Sequence, residues 1–98
     1  MTIEKIQNGN ALTIALEGRL DTMSAPELET TLKDALIGVE ELTFDFEKLD
    51  YISSAGLRVL LTAQKTMNRQ GSMKVQHVNE IISEIFEVTG FSDILTIA

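Results

Sequence analysis

Apolar residues recur along this chain in two rhythms, and the change from one to the other divides it into strands and helices. Leu12, Ile14 and Leu16 alternate with Thr13, Ala15 and Glu17, the period-2 signature of a strand with one buried face over 11–17. Asn8-Gly9 just ahead tolerates positive φ in a tight turn, which predicts a hairpin to a first strand over 2–7. A loop over 18–23 follows. Ser24 and Glu27 then have the spacing of a capping box, with Pro26 in the first turn, where a missing N–H costs little. Leu28, Leu32, Ala35 and Leu36 carry helical spacing to about Ile37, and Gly38 is the expected terminator. Alternation returns at Leu42, Phe44 and Phe46, a third strand expected to end in an acidic turn over Glu47–Asp50. Strand, helix and strand in that order predict a right-handed parallel crossover.

A second helix is expected from near Ser54 to just before Gly71, then a fourth strand at Met73, Val75 and His77. Asn79 is placed to cap a third helix with a broad apolar stripe of Ile81, Ile82, Ile85, Phe86 and Val88. Gly90 should end that helix, and Phe91 should fold back over its last turn. Ile94–Ile97 reads as a short final strand or a docked tail. The pattern is that of an α/β fold: one domain over 1–98, with a mixed sheet of four to five strands and three or more helices packed mainly on one face. At about 100° per residue, Leu57, Leu60, Gln64 and Met67 share one side of the second helix, with Leu61 at its margin. Ser54, Arg58, Lys65 and Arg69 share another side, so Ser54 is expected to face water among cations.

Composition changes this picture in three ways. With 98 residues and 44% hydrophobic content, the chain can close a modest core without a metal or disulfide, and it contains no cysteine to make either a disulfide or a thiolate site. Its apolar runs fall far short of the ~20 residues that cross a bilayer, and its start lacks the basic-then-apolar order of a signal peptide. A soluble cytoplasmic protein is therefore expected. The formal charge of −7 opposes phosphate backbones and anionic lipid, so neither nucleic acid nor membrane is an expected partner. The cations that exist are concentrated: 54–70 holds Arg58, Lys65 and Arg69 and no acid.

The stretch Leu49–Leu61, LDYISSAGLRVLL, passes from a charged segment to two serines, a glycine and a helical pattern. A helix N-terminus leaves N–H groups unpaired and carries the positive end of the macrodipole, so a phosphate on a serine there is electrostatically welcome. Ser54, Ala55, Gly56 and Leu57 resemble the phosphoacceptor motif of the anti-sigma factor antagonists of the STAS domain family, whose usual form is an acidic residue, Ser, a small residue, Gly and Leu. The resemblance continues through Gly18, Leu20 and Asp21, and through Asp45 with Tyr51 and Ile52. Ser53 stands where the family usually has the acidic residue, and it is the second candidate for modification after Ser54. The resemblance implies a protein that binds an anti-sigma factor while unmodified and so releases a sigma factor. That partner would also be an ATP-dependent serine kinase acting on Ser54, and a metal-dependent serine phosphatase would reverse the step. It further implies a partner-binding surface of Asp21, Met23, Ser53, Ser54, Ala55, Gly56 and Arg58, with Asp45 supporting the loop before Ser54. Arg58, four residues beyond Ser54, stands where a phosphate on Ser54 would meet a cation.

Each of these residues also has a plainer role. Either serine can cap a helix, Gly56 can permit close packing, Asp21 can be a turn acid, and Met23 can close the core. A STAS scaffold subunit of a sensory or lipid-transport complex, never phosphorylated, is the alternative function. An enzyme is not expected. There is no Walker loop, Gly-x-Gly-x-x-Gly segment or nucleophile elbow. Asp45, Glu47 and Asp50 lack the companion acids of a receiver domain's magnesium site. His77, the only histidine, has neither a second histidine nor a cysteine to complete a usual metal set and is expected at a surface or edge. No cofactor and no metal are expected.

Overall fold

The computed structural model describes residues 1–98. Four strands form one sheet in the order β1 (Thr2–Asn8), β2 (Ala11–Leu20), β3 (Glu41–Ile52), β4 (Ser72–Gln76). The first pair is antiparallel through the Asn8–Ala11 hairpin, and the other two pairs are parallel, as the intervening helices require. The helices are α1 (Ala25–Ala35), α2 (Ser54–Gln70) and α3 (Glu80–Thr89), followed by a short 3-10 turn over Phe91–Asp93. Alternate residues of the strands, Leu12, Ile14 and Leu16, then Leu42, Phe44 and Phe46, then Met73 and Val75, meet Leu28, Leu32, Leu57, Leu60, Met67, Ile82 and Phe86 in one continuous core.

Three expectations are corrected here. β3 does not stop at an acidic turn; it runs on to Ile52, 12 residues in all, and carries two bulges. Asp45 pairs with Ala15 but Lys48 pairs with Glu17, and Leu49 pairs with Gly18 but Tyr51 with Arg19, so β3 holds one extra residue at each place. The bulges put Glu47 and Lys48 both in solvent, which mimics a turn in sequence, while Leu49 and Ile52 remain buried. β2 likewise runs past the expected loop start to Leu20, whose fully buried side chain faces the core beside Ile52. The apolar stripe of α3 is only partly inward, because Ile82 and Phe86 are buried whereas Ile81 and Val88 lie outside.

The α3 ends form as expected. Asn79 Oδ1 accepts from Ile82 N at 2.8 Å, and Gly90 takes the left-handed conformation that closes the helix, with φ 81°. The C-terminal residues are a docked tail. Val75 N donates to Thr96 O and Ala98 N to Val75 O, while Leu95 is buried, so a single parallel bridge, Val75–Ile97, lies beside β4. His77 falls just outside β4, in a left-handed turn with φ 59°, on the surface as expected.

Candidate functional site

The site lies where β2 and β3 end together and α2 begins. Ser53 N donates to Leu20 O at 2.9 Å, which ties the start of α2 to the last residue of β2. Ser53 occupies the N-cap position in extended conformation, and its carbonyl accepts the first helical bond from Leu57 N at 2.9 Å. Its side chain makes no cap, and its Oγ is buried without a hydrogen-bond partner. The Ser53 hydroxyl is thus closed off from the surface in this geometry, unlike its neighbour.

Ser54 is the first residue of α2 and is exposed. The helix behind it has the two faces that the spacing predicts: Leu57, Leu60, Gln64 and Met67 buried, joined by Val59 and Ala63, and Arg58, Lys65 and Arg69 outside. The molecule's ion pairs are Arg19–Asp21 and His77–Asp45, so the Arg58 guanidinium is free of any carboxylate. Ser54, Arg58 and the first-turn N–H groups of α2 thus form an outward cationic step. It lines neither of the two main grooves of the surface, a shape suited to docking against a protein rather than enclosing a small molecule.

Gly56 fixes how closely this step sits on the sheet. A Cβ at this position would stand 2.7 Å from Leu20 Cγ, 2.8 Å from Ile52 Cγ1 and 3.0 Å from Leu20 O. The residue is buried and faces the sheet, where it serves the site by close packing. Ala55 is half-buried beside it.

Asp21 begins the loop that leaves β2 next to Ser53. Its Oδ1 accepts from Met23 N at 3.0 Å and Ser24 N at 3.2 Å, and Ser24 Oγ accepts in return from Asp21 N at 2.9 Å and donates to Arg19 O at 2.7 Å. This reciprocal pair is a capping box, but one set three residues earlier than expected; Ser24 makes no side-chain cap to α1, and Glu27 is not its partner. The D-x-x-S spacing was visible in sequence as the signal for it. The Ser24 N–H first, then those of Met23 and the Ser24 hydroxyl with the nearby Arg19 charge, outweigh partial burial and hold the Asp21 carboxyl below its ordinary range. Arg19 lies over the Tyr51 ring at 4.5 Å, locking the two strand ends together on the far face. Met23, at 88% exposure, does not close the core; it projects into solvent from the same loop.

The lowered pKa of Asp21 has a definite sign in stability. Its contribution is present above the unfolded value, about pH 3.9, and lost as pH falls through the lower folded value. Asp21→Asn keeps an acceptor but cannot titrate. The melting temperature of the native chain should exceed that of Asp21→Asn by a few degrees near neutrality, and the gap should close below about pH 4, as read by thermal melts across pH.

Asp45 does not reach the Ile52–Ser54 loop. Its Oδ1 accepts from Glu47 N at 3.0 Å and meets His77 Nδ1 at 2.8 Å, so it braces the first β3 bulge and the turn after β4. Sequence reasoning treated Asp45 and His77 separately; they lie 32 residues apart, and only the β3–β4 register brings them together. Burial raises the Asp45 carboxyl, but the His77 and Glu47 hydrogen bonds outweigh it and the net shift is downward. The bond to Asp45 raises the His77 imidazole.

The sequence profile described as "Mlab, STAS domain" matches residues 3–96. Over its full length the chain is 34% identical to BtrV of Bordetella bronchiseptica, covering 84% of that protein, which its name provisionally classes as an anti-sigma factor antagonist. It is 28% identical to the anti-sigma-B factor antagonist of Bacillus subtilis, again over its full length, covering 91% of that protein. Among solved structures, the anti-sigma factor antagonist SpoIIAA in its unphosphorylated form superposes with a TM-score of 0.78 at 16% identity, over 99% of this chain and 87% of that one. The phosphorylated form of Bacillus SpoIIAA gives 0.77 at 17% identity, over 99% and 91%. At these identities the structural likeness establishes the shared α/β fold.

Proposed function

This chain belongs to the STAS domain family, and from that premise we propose that it is an anti-sigma factor antagonist switched by phosphorylation of Ser54. Unmodified, it binds an anti-sigma factor that is also an ATP-dependent serine kinase, and so releases a sigma factor. Phosphate on Ser54 ends the docking, and a metal-dependent serine phosphatase restores it. The chain acts by binding, without a catalytic step of its own and without a cofactor.

The observation that carries this reading is the placement of Ser54: an exposed hydroxyl on the first residue of a long helix, with Arg58 one turn behind it and free of carboxylates. The names of the relatives support the partner class, and the existence of SpoIIAA in two phosphorylation states supports the form of the switch. The docking surface in this reading comprises Met23, Ser54, Ala55 and Arg58, with Asp21 shaping the loop beside them and Gly56 and Ser53 setting the backbone from within.

The test is incubation with an anti-sigma factor kinase from the same organism and ATP-magnesium, followed by intact-protein and peptide mass spectrometry. One phosphate is expected, on Ser54, with none on Ser53 and none in Ser54→Ala. Phosphate on Ser53 would reject the assignment to Ser54, and a chain left unmodified after incubation with kinase and ATP-magnesium would reject the switch and favour the scaffold subunit.

A further inference from the structure

On the open face of the sheet, away from the helices, two side chains from the middle of β3 and one from the turn after β4 converge. Asp45 and Glu47 stand two apart on β3, and Asp45 pairs in register with Gln76, the residue before His77. Asp45, Glu47 and His77 each bring one ligand atom to within 4.8 Å of the others. The Glu47 carboxylate has no ion-pair partner, and the set is not carboxylate alone, since a separate element supplies an imidazole nitrogen. A groove of about 220 Å³, walled by Glu4 and Glu17 as well as by Asp45 and Glu47, opens beside them.

We infer that Asp45, Glu47 and His77 form a binding site for a divalent transition metal ion of the zinc class. One imidazole nitrogen with two carboxylate oxygens is a donor set that Zn²⁺, Co²⁺ or Ni²⁺ accepts, whereas Mg²⁺ and Ca²⁺ favour oxygen alone. Bonds of about 2.0–2.2 Å in a tetrahedral arrangement separate the ligand atoms by roughly 3.4 Å. His77 Nδ1 and Asp45 Oδ1, now 2.8 Å apart, need open only slightly, and the exposed Glu47 side chain rotates in to complete the third position. The ion replaces the hydrogen bridging Nδ1 and Oδ1; that hydrogen leaves to solvent from a charged imidazole and moves to Nε2 in a neutral one. Water fills the fourth position. The Glu47 N–H that donates to Asp45 Oδ1 holds that carboxylate in place as an outer-shell group.

The site is independent of the switch at Ser54, and calorimetric titration of the whole chain with ZnCl₂ tests it. One ion per chain is expected, with affinity falling at least about tenfold in His77→Asn and in Glu47→Gln. Asparagine keeps the left-handed turn at position 77, so folding is preserved. The double variant Glu4→Gln with Glu17→Gln should bind as the native chain does, and Mg²⁺ should bind far more weakly than Zn²⁺. Absence of Zn²⁺ binding, no loss in His77→Asn, or an equal loss in the Glu4/Glu17 variant would each overturn the site, the last two by showing general attraction to an acidic surface.

Discussion

Phosphorylated chain is expected to bind its anti-sigma factor about a hundredfold more weakly than unmodified chain while melting within a few degrees of it. The two halves follow from the same geometry. A phosphate adds about −1.5 to −2 charges and three strong acceptor oxygens to a surface that must be desolvated on docking. Leaving such a charge unpaired in an interface costs about 3 kcal/mol, which is roughly two decades in Kd. In the free protein the same phosphate is well placed. It lies at the positive end of a 17-residue helix and within one turn of the Arg58 guanidinium, which has no carboxylate to give up. The modification is therefore accommodated in the free state and resisted only in the complex. Titration of the partner with unmodified, phosphorylated, Ser54→Ala and Ser54→Asp chains reads this directly. Ser54→Ala should bind within about twofold of the unmodified chain and stay bound in the presence of ATP, while Ser54→Asp, with one charge instead of nearly two, should fall between. A phosphorylated sample that melts far below the unmodified one would instead place the effect in unfolding.

How much of this was visible in the residues depends on the range of the interactions involved. The faces of α2 follow from spacing alone, because a helix fixes where Leu57, Leu60 and Met67 stand relative to Ser54 and Arg58. The close approach at Gly56 was open to either reading until Leu20 and Ile52 were placed beside it. Two misreadings share one cause. Glu47–Asp50 looks like a turn, and Ser24-x-x-Glu27 looks like a cap, because each has the right composition locally. Pairing to β2 extends β3 through bulges, and the reciprocal bonds between Asp21 and Ser24 take the capping role first. The approach of His77 to Asp45 had no local signal, since it depends on strand order and on the register of β4. The burial of Ser53 Oγ beside an exposed Ser54 is likewise a consequence of the Ser53–Leu20 backbone bond, which two adjacent identical residues in a sequence cannot disclose.

Two alanine substitutions, one at each end of α2, separate stability from display of the acceptor. At Gly71 a Cβ would collide with the Glu40 backbone, coming within 2.6 Å of its carbonyl carbon and 2.8 Å of its Cα. That segment, just ahead of β3, has little room to move: Glu40 O accepts from Ser72 N at 2.9 Å, and Glu40 N donates to Asn10 O at 2.8 Å. The backbone angle is no obstacle, since φ 172° is ordinary extended chain, so the cost is steric. Gly71→Ala should lose about 2 kcal/mol or more, roughly 10 °C in melting temperature. At Gly56 the added methyl would press on Leu20 and Ile52, both fully buried, and on the Leu20 carbonyl that receives Ser53 N–H. Relief comes most easily by lifting the first turn of α2, which stretches that hydrogen bond and moves Ser54. Gly56→Ala should thus lose comparable stability and, in addition, be phosphorylated about tenfold more slowly at a temperature well below both transitions, because a displacement of about 1 Å at a reacting group is costly. The helix is about 25 Å long, so repacking at Gly71 leaves Ser54 in place and its phosphorylation rate at the native level. Equal rates in the two variants would mean that the tight seat of α2 on the sheet serves folding alone and that the kinase does not read the position of the hydroxyl.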